Sequence, residues 1–184
     1  MEAIYAIDSK CGLSKNGTLA WKSKMDMHFF KNKTVNQVVI MGKNTYFSLP
    51  QRARPLHHRL NIVLTRNPEK HIAEYNEHSD HVIFTADDDI HHFILNNRDA
   101  FIKRYPYLDD DFKIIIIGGK NIYEQFLPFC ETIWISRFKM DYSCDLFLEV
   151  DYSDCSSEIV KETEELTIYK YTRKPISLQV QNWI

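Results

Sequence analysis

Hydrophobic positions fall in short runs, not in one continuous stripe. AIYAI (3–7), QVVIM (37–41), LNIVLT (60–65), HVIFT (81–85), KIIII (113–117) and TIWISRF (132–138) are rich in the β-branched and aromatic residues that suit a pleated strand. No polar residue interrupts Ile114–Ile117, which predicts a strand buried on both faces, since a half-solvated strand alternates. Between several of these runs the spacing becomes helical. SKMDMHFFKN (23–32) reads as one helix and NTYFSL (44–49), stopped by Pro50, as a second. DDDIHHFILNN (87–97) reads as a third, with Thr85 as its N-cap and Ile90, Phe93 and Ile94 on one face. Ile122, Tyr123, Phe126 and Leu127 mark a fourth, closed by Pro128. Strands alternating with helices predict βαβ units, hence an α/β fold with a mostly parallel central sheet flanked by helices. After residue 155, EIVKETEEL and TIYKYTRK follow without a helix between them, which predicts an antiparallel C-terminal hairpin at a sheet edge.

Composition narrows this picture. A chain of 184 residues, 44% hydrophobic and 26% charged, is expected to form one soluble globular domain with a substantial core. A formal net charge of −2 argues against a general nucleic-acid binder, which needs a basic face. Cys11, Cys130, Cys144 and Cys155 show no ligand spacing and read as free thiols of a reducing compartment. No apolar run reaches membrane-spanning length and the N-terminus lacks the regions of a signal peptide, so a cytoplasmic protein without membrane contact is expected. Metal binding is not expected: His78 and His81 offer too few ligands for zinc, and His57–His58 and His91–His92 read as surface pairs. The acidic runs Asp87–Asp89 and Asp109–Asp111 read as solvated turns or helix starts.

In open α/β sheets ligands bind beyond the carboxyl ends of the strands. The residues there are Gly42-Lys43, Thr65-Arg66 and Gly118-Gly119, and cations beside a helix N-terminus or a hydroxyl suit a phosphorylated ligand. Of only 5 glycines in the chain, two stand side by side at 118 and 119, where a backbone must approach something closely.

Four segments, LSKNGTLAW (13–21), VVIMGKNTYFSLP (38–50), RPLHHRLNIVLTR (54–66) and IIIIGGKNIYEQFLP (114–128), resemble the dihydrofolate reductase family in order and spacing. The likeness continues through WISRF (134–138) and CDLFLEVD (144–151) to about Lys174. It implies a dihydrofolate-reductase-like domain over 1–174 that uses NADPH to reduce 7,8-dihydrofolate, with hydride to pterin C6 and a proton to N5. Dihydrofolate and antifolates are the implied ligands, and a monomer the implied state. Residues 175–184 extend beyond the family end; Ile176, Leu178 and Val180 alternate with polar positions, which suggests an extra edge strand or packed tail, with a contact to a partner as the alternative.

The resemblance also assigns roles. Asp26 matches the pterin-pocket acid, with Trp21 beside the pterin and Tyr123 near the reacting ring. Ser23 to Asp26 equally reads as an S-x-x-D capping box that merely starts the helix. Ile4, Met27, Phe30, Leu56, Ile117 and Ser136 match substrate-pocket positions, and Arg59 matches the arginine that grips the glutamate tail. For the cofactor the matching positions are Ala6, Leu13, Gly42, Lys43, Asn44, Thr45, Leu64, Thr65, Arg66, Gly118, Gly119, Lys120, Asn121, Ile122 and Tyr123. Residues Cys11 to Ala20 match the loop that closes over the nicotinamide, and the Gly118–Gly119 peptide is implied to be cis. Ser14, Ala20, Ser136, Leu146 and Glu149 depart from the family pattern, and an arginine often found after the HVIFT strand in animal members is replaced by IFTADDD (83–89). A related pyrimidine reductase, or a folate- or partner-binding homologue that has lost turnover, are the alternative readings.

Overall fold

The computed structural model describes residues 1–71, 73 and 80–174. His78 and the expected tail strand at 175–184 lie outside the described residues. Eight strands form one sheet: β1 (Glu2–Ile7), β3 (Val38–Gly42), β4 (Leu60–Leu64), β5 (Val82–Thr85), β6 (Ile114–Gly118), β7 (Thr132–Phe138), β9 (Cys155–Glu162) and β10 (Leu166–Arg173). Their order is β5-β4-β3-β6-β1-β7-β10-β9. Every pairing from β5 to β7 is parallel, and β10 pairs antiparallel with both β7 and β9, so the expected terminal hairpin is present. Two short strands, β2 (Gly12–Ser14) and β8 (Leu146–Phe147), pair separately; neither is visible in the hydrophobic pattern.

The side-chain alternation of each strand splits the core in two. Val38, Ile40, Ile62, Ile114, Ile116, Ala3 and Tyr5 face one layer, together with Ile94, Tyr123, Phe126 and Leu127 from the helices α3 (Ile90–Asn96) and α5 (Lys120–Phe126) and the turn after α5. Val39, Met41, Val63, Ile115, Ile117 and Ile4 face the other, where Phe29 and Phe30 of α1 (Lys24–Thr34) and Tyr46 of α2 (Lys43–Ser48) pack. Ile114 to Ile117 are all buried, as an unbroken apolar run between two helical layers requires.

Two local expectations are corrected. Thr85 closes β5 and its hydroxyl accepts from the Asp87 amide, while Asp89 takes the N-cap position of α3. The three aspartates form a turn before the helix, because Asp87 accepts from the Asp89 amide and so bends the chain first. A further helix, α4 (Arg98–Arg104), follows α3 directly where none is expected.

β6 lies between β3 and β1, although β4 and β5 precede it in the chain. The chain therefore reverses its direction of travel across the sheet at β6, and the carboxyl ends of β1, β3 and β6 open into one crevice.

Candidate active site

Asp26 sits in the first turn of α1, only 8% exposed. Ser23 is the N-cap, its hydroxyl accepting from the Asp26 amide at 3.2 Å, so the capping role is real. The Asp26 carboxyl, however, turns inward toward Ser136 of β7 and Trp21. The stretch therefore caps the helix while its acid points inward. Burial raises the Asp26 carboxyl above its ordinary range; hydrogen bonding from Ser136 and Trp21 opposes the shift, and the charge of Glu165 adds to it. Ile4 and Ile117 supply buried apolar surface nearby, whereas Met27 is 55% exposed and contributes little to that burial. Trp21 packs on Phe138 with ring centroids 4.7 Å apart. Its indole nitrogen is buried and has no full hydrogen bond among the described residues. A buried donor that meets the Asp26 carboxyl only loosely leaves room for a polar ligand atom or an ordered water to share it.

Arg59 is 6% exposed yet charged, and burial pulls its pKa down. Its Nε donates to the Thr34 hydroxyl (2.9 Å) and one terminal nitrogen to the His57 carbonyl (3.0 Å), while Phe30 lies under the guanidinium at 6.0 Å. No carboxylate pairs with it among the described residues. A fixed, buried guanidinium without a counter-ion is a ready site for an anion. Asn61, the lone polar residue of β4 and 0% exposed, builds this corner. Its side chain accepts from the Leu56 amide and donates to the carbonyls of Leu56, Arg59 and His81, all at 2.9–3.0 Å. Leu56 and Arg59 are thereby held against the pocket. The signal was available: an asparagine inside LNIVL can be buried only if it finds partners.

The two adjacent glycines stand where β6 enters α5, and their peptide is cis. Gly118 has φ +111°, a region closed to other L-residues, and a Cβ there would lie 3.0 Å from the Tyr123 ring and hydroxyl. A Cβ on Gly119 would lie 3.0 Å from Thr45 Oγ1, and one on Gly42 would lie 3.2 Å from Ile122. The β3–α2 and β6–α5 junctions are thus pressed together. Neither α2 nor α5 has a side chain capping its first turn, so the amides of Lys43, Asn44, Thr45, Lys120 and Asn121 meet no side-chain acceptor there, while the Ile122 amide donates to the Gly119 carbonyl at 2.9 Å. The Tyr123 hydroxyl donates to the Ile4 carbonyl at 2.9 Å, which ties α5 to β1.

Thr65 and Arg66 follow Leu64 at the end of β4, and the Thr65 amide donates to the Thr85 carbonyl. The Asp87–Asp89 turn is therefore their neighbour. Each of its carboxylates has a local partner: Asp87 the Asp89 amide, Asp88 the Gln125 amide group, Asp89 the His92 ring. Lys120 pairs with Glu124 at 3.6 Å. His91 is half-buried against Phe126, not a surface residue.

The segment after β1 is held by a residue that sequence reasoning passed over. Asp8 is 0% exposed and accepts from the amides of Lys10, Gly12 and Tyr142 at 2.7–3.1 Å. Burial alone would raise its pKa; these amides and the Cys144 thiol outweigh it and hold the carboxyl below its ordinary range. Asp145 accepts from the Asn16 amide, and β2 pairs with β8, so residues 8–16 are stapled to residues 142–148. Leu13 is buried, in the cluster that holds Tyr5 and Tyr123, and Ala6 is half-buried against the cluster that holds Trp21. A shallow surface hollow lined by Leu127, Pro128, Leu148 and Arg173 holds none of the candidate residues.

A family model described as dihydrofolate reductase matches residues 1–174. Dihydrofolate reductase of Ureaplasma parvum serovar 3 is 29% identical over 174 residues, covering 95% of this chain and 97% of that protein. A protein of Mycoplasmoides gallisepticum named segregation and condensation protein A is 29% identical over 175 residues, but the chain spans only 26% of its length. Among solved structures, Enterococcus faecalis dihydrofolate reductase complexed with NADP(H) and RAB-propyl superimposes with a TM-score of 0.64 at 23% identity, covering 95% of this chain and 96% of that one.

Proposed function

The chain belongs to the dihydrofolate reductase family, and we propose that it catalyses NADPH-dependent reduction of 7,8-dihydrofolate to 5,6,7,8-tetrahydrofolate. The observation that carries this reading is Asp26: one buried carboxyl with raised proton affinity at the start of α1, turned toward Ser136 of β7 and the loosely partnered indole N–H of Trp21. Bound NADPH supplies the hydride.

The rest is the work of this chain's residues. Asp26 orients the pterin through its N3 and 2-amino group, and its raised pKa keeps a proton available at higher pH for delivery to N5. Ser136 and Trp21 hold the carboxyl and the water or ligand atom next to it. Ile4, Ile117, Phe30 and Leu56 exclude bulk water and clamp the aromatic rings, with Met27 at the open rim. Arg59 takes the carboxylate of the glutamate tail. The starts of α2 and α5, with Gly42, Gly118 and Gly119, fit the cofactor phosphates, because no side chain caps their first amides and no Cβ blocks approach. Thr65 and Arg66, beside Leu64, are assigned to the 2′-phosphate; the Asp87–Asp89 carboxylates are turned to partners of their own in the neighbouring turn. Ala6, Leu13 and Tyr123 border the nicotinamide. Tyr123 acts chiefly by fixing Gly118 and β1, since its hydroxyl is already donated to Ile4.

The same reading makes the protein a monomer of the cytoplasm that binds antifolates. Four free thiols support a reducing compartment, and among the described residues no helix is long and apolar enough to cross a membrane.

The test is loss of NADPH absorbance with dihydrofolate, for wild type and Asp26→Asn across pH. Turnover by the wild type, with the variant impaired most near neutral pH, is expected. A folded wild type that binds NADPH but turns nothing over would overturn the proposal in favour of a binding protein.

A further inference from the structure

Outside the residues assigned above, one side chain reaches the backbone of Asp26 through a single hydroxyl. Glu165 lies on the turn between β9 and β10, and its carboxylate accepts from the Ser23 hydroxyl at 2.9 Å. That hydroxyl, only 5% exposed at the residue level, also accepts from the Asp26 amide. The turn itself is fixed: the Glu165 carbonyl accepts from the Lys139 amide, and Thr163 and Leu166 exchange three hydrogen bonds around it. Leu166 also packs with Trp21 and Phe138 in one buried cluster. The loop that bears Glu165 is thus anchored on the same group that floors the pterin pocket.

We propose that Glu165 is a positioning residue for the reduction: through Ser23 it fixes the start of the helix that carries Asp26, and its side chain stands one hydrogen-bonded hydroxyl away from that residue's backbone. This rests on the reductase reading of the site and deepens it. The neighbouring cation does not cancel the charge, because Lys139 directs its ammonium to Glu162 at 3.2 Å. Other groups packed around Asp26 are Ser136 and Trp21, which do not titrate, and Tyr123, which stays neutral in its fully enclosed position. Lys22 and Lys24 precede Asp26 in sequence but are exposed. Glu165 is therefore the acidic group that bears on Asp26 from a separate element, in the direction that favours the protonated carboxyl.

The consequence is specific to pH. A protonated Asp26 is required for the step, so a nearby negative charge extends activity toward higher pH. Glu165→Gln keeps an oxygen acceptor for Ser23 and removes only the charge. Single-turnover reduction with 4-deuterated NADPH, followed from pH 5 to 9, should show the acid plateau unchanged and the alkaline limb moved to lower pH. At the alkaline end the variant should be about threefold slower, the size expected of one like charge acting across a partly solvated gap. Ser23→Ala, which frees Glu165 to turn toward solvent, should move the limb the same way. Wild-type turnover with superimposable limbs in both variants, or a pH-independent loss of rate, would sink this inference and leave the reductase assignment standing. Absence of wild-type turnover would instead remove the assignment itself.

Discussion

Replacing Arg59 with lysine isolates what the fork contributes. The guanidinium offers five N–H donors; one, at Nε, goes to Thr34 and one, at a terminal nitrogen, to the His57 carbonyl. Three remain, on the two terminal nitrogens, in a plane already set by those bonds. They can meet a carboxylate with two parallel bonds at once. A lysine ammonium has three donors in all, so satisfying Thr34 and His57 leaves one for the ligand. One charge-assisted bond is lost, worth about 1.5–3 kcal/mol, which is about 10- to 150-fold in affinity. Because the contact is remote from the reacting atoms and equal in ground and transition state, KM for dihydrofolate should rise by that factor while kcat stays within about threefold. The assay is steady-state kinetics with dihydrofolate and, in parallel, with a dihydropterin that has no glutamate tail. The tail-less substrate controls for any repacking around Thr34, and its kcat/KM should be the same in wild type and variant. Equal losses with both substrates would refute the reasoning, since the arginine would then be acting on the pocket as a whole.

Two further perturbations probe the frame of the site. Gly118→Ala places a methyl at φ +111° and 3.0 Å from Tyr123, so it should destabilise by about 2–5 kcal/mol from backbone strain and overpacking together, and weaken NADPH binding; a denaturant midpoint equal to wild type would show that the junction can relax. Asp8→Ala leaves the buried Gly12 amide and the part-buried Lys10 and Tyr142 amides without their acceptor, at about 1–3 kcal/mol for each one that water cannot reach, and hydrogen exchange at Gly12 and Tyr142 should accelerate. The Asp8 pKa is depressed in the fold, so its contribution is present above the unfolded value and lost as pH falls through the folded one; exchange at these amides that ignored acidification in the wild type would contradict that sign.

Much of this protein is written locally along the chain. Apolar runs of strand length, helical spacing between them and an unbroken isoleucine run determine an α/β fold with a buried central strand, because side-chain periodicity is a property of neighbours in sequence. The paired glycines and the Ser23–Asp26 spacing were legible for the same reason. Local pattern also misplaced details: Thr85 was expected to cap a helix that Asp89 begins, and α4 went unread because RDAFIKR carries no stronger signal than a loop. What only the tertiary structure decided is which polar group meets which. Asn61 in an apolar strand, Asp8 after β1 and Glu165 in an acidic turn look unremarked in sequence. Each acquires its role from partners that folding brings near: Tyr142 lies 134 residues from Asp8, and Ser23 lies 142 residues from Glu165. Burial, charge and hydrogen-bond supply at a side chain are set by strand order, and no periodicity encodes the insertion of β6 between β3 and β1 that opens the crevice they serve.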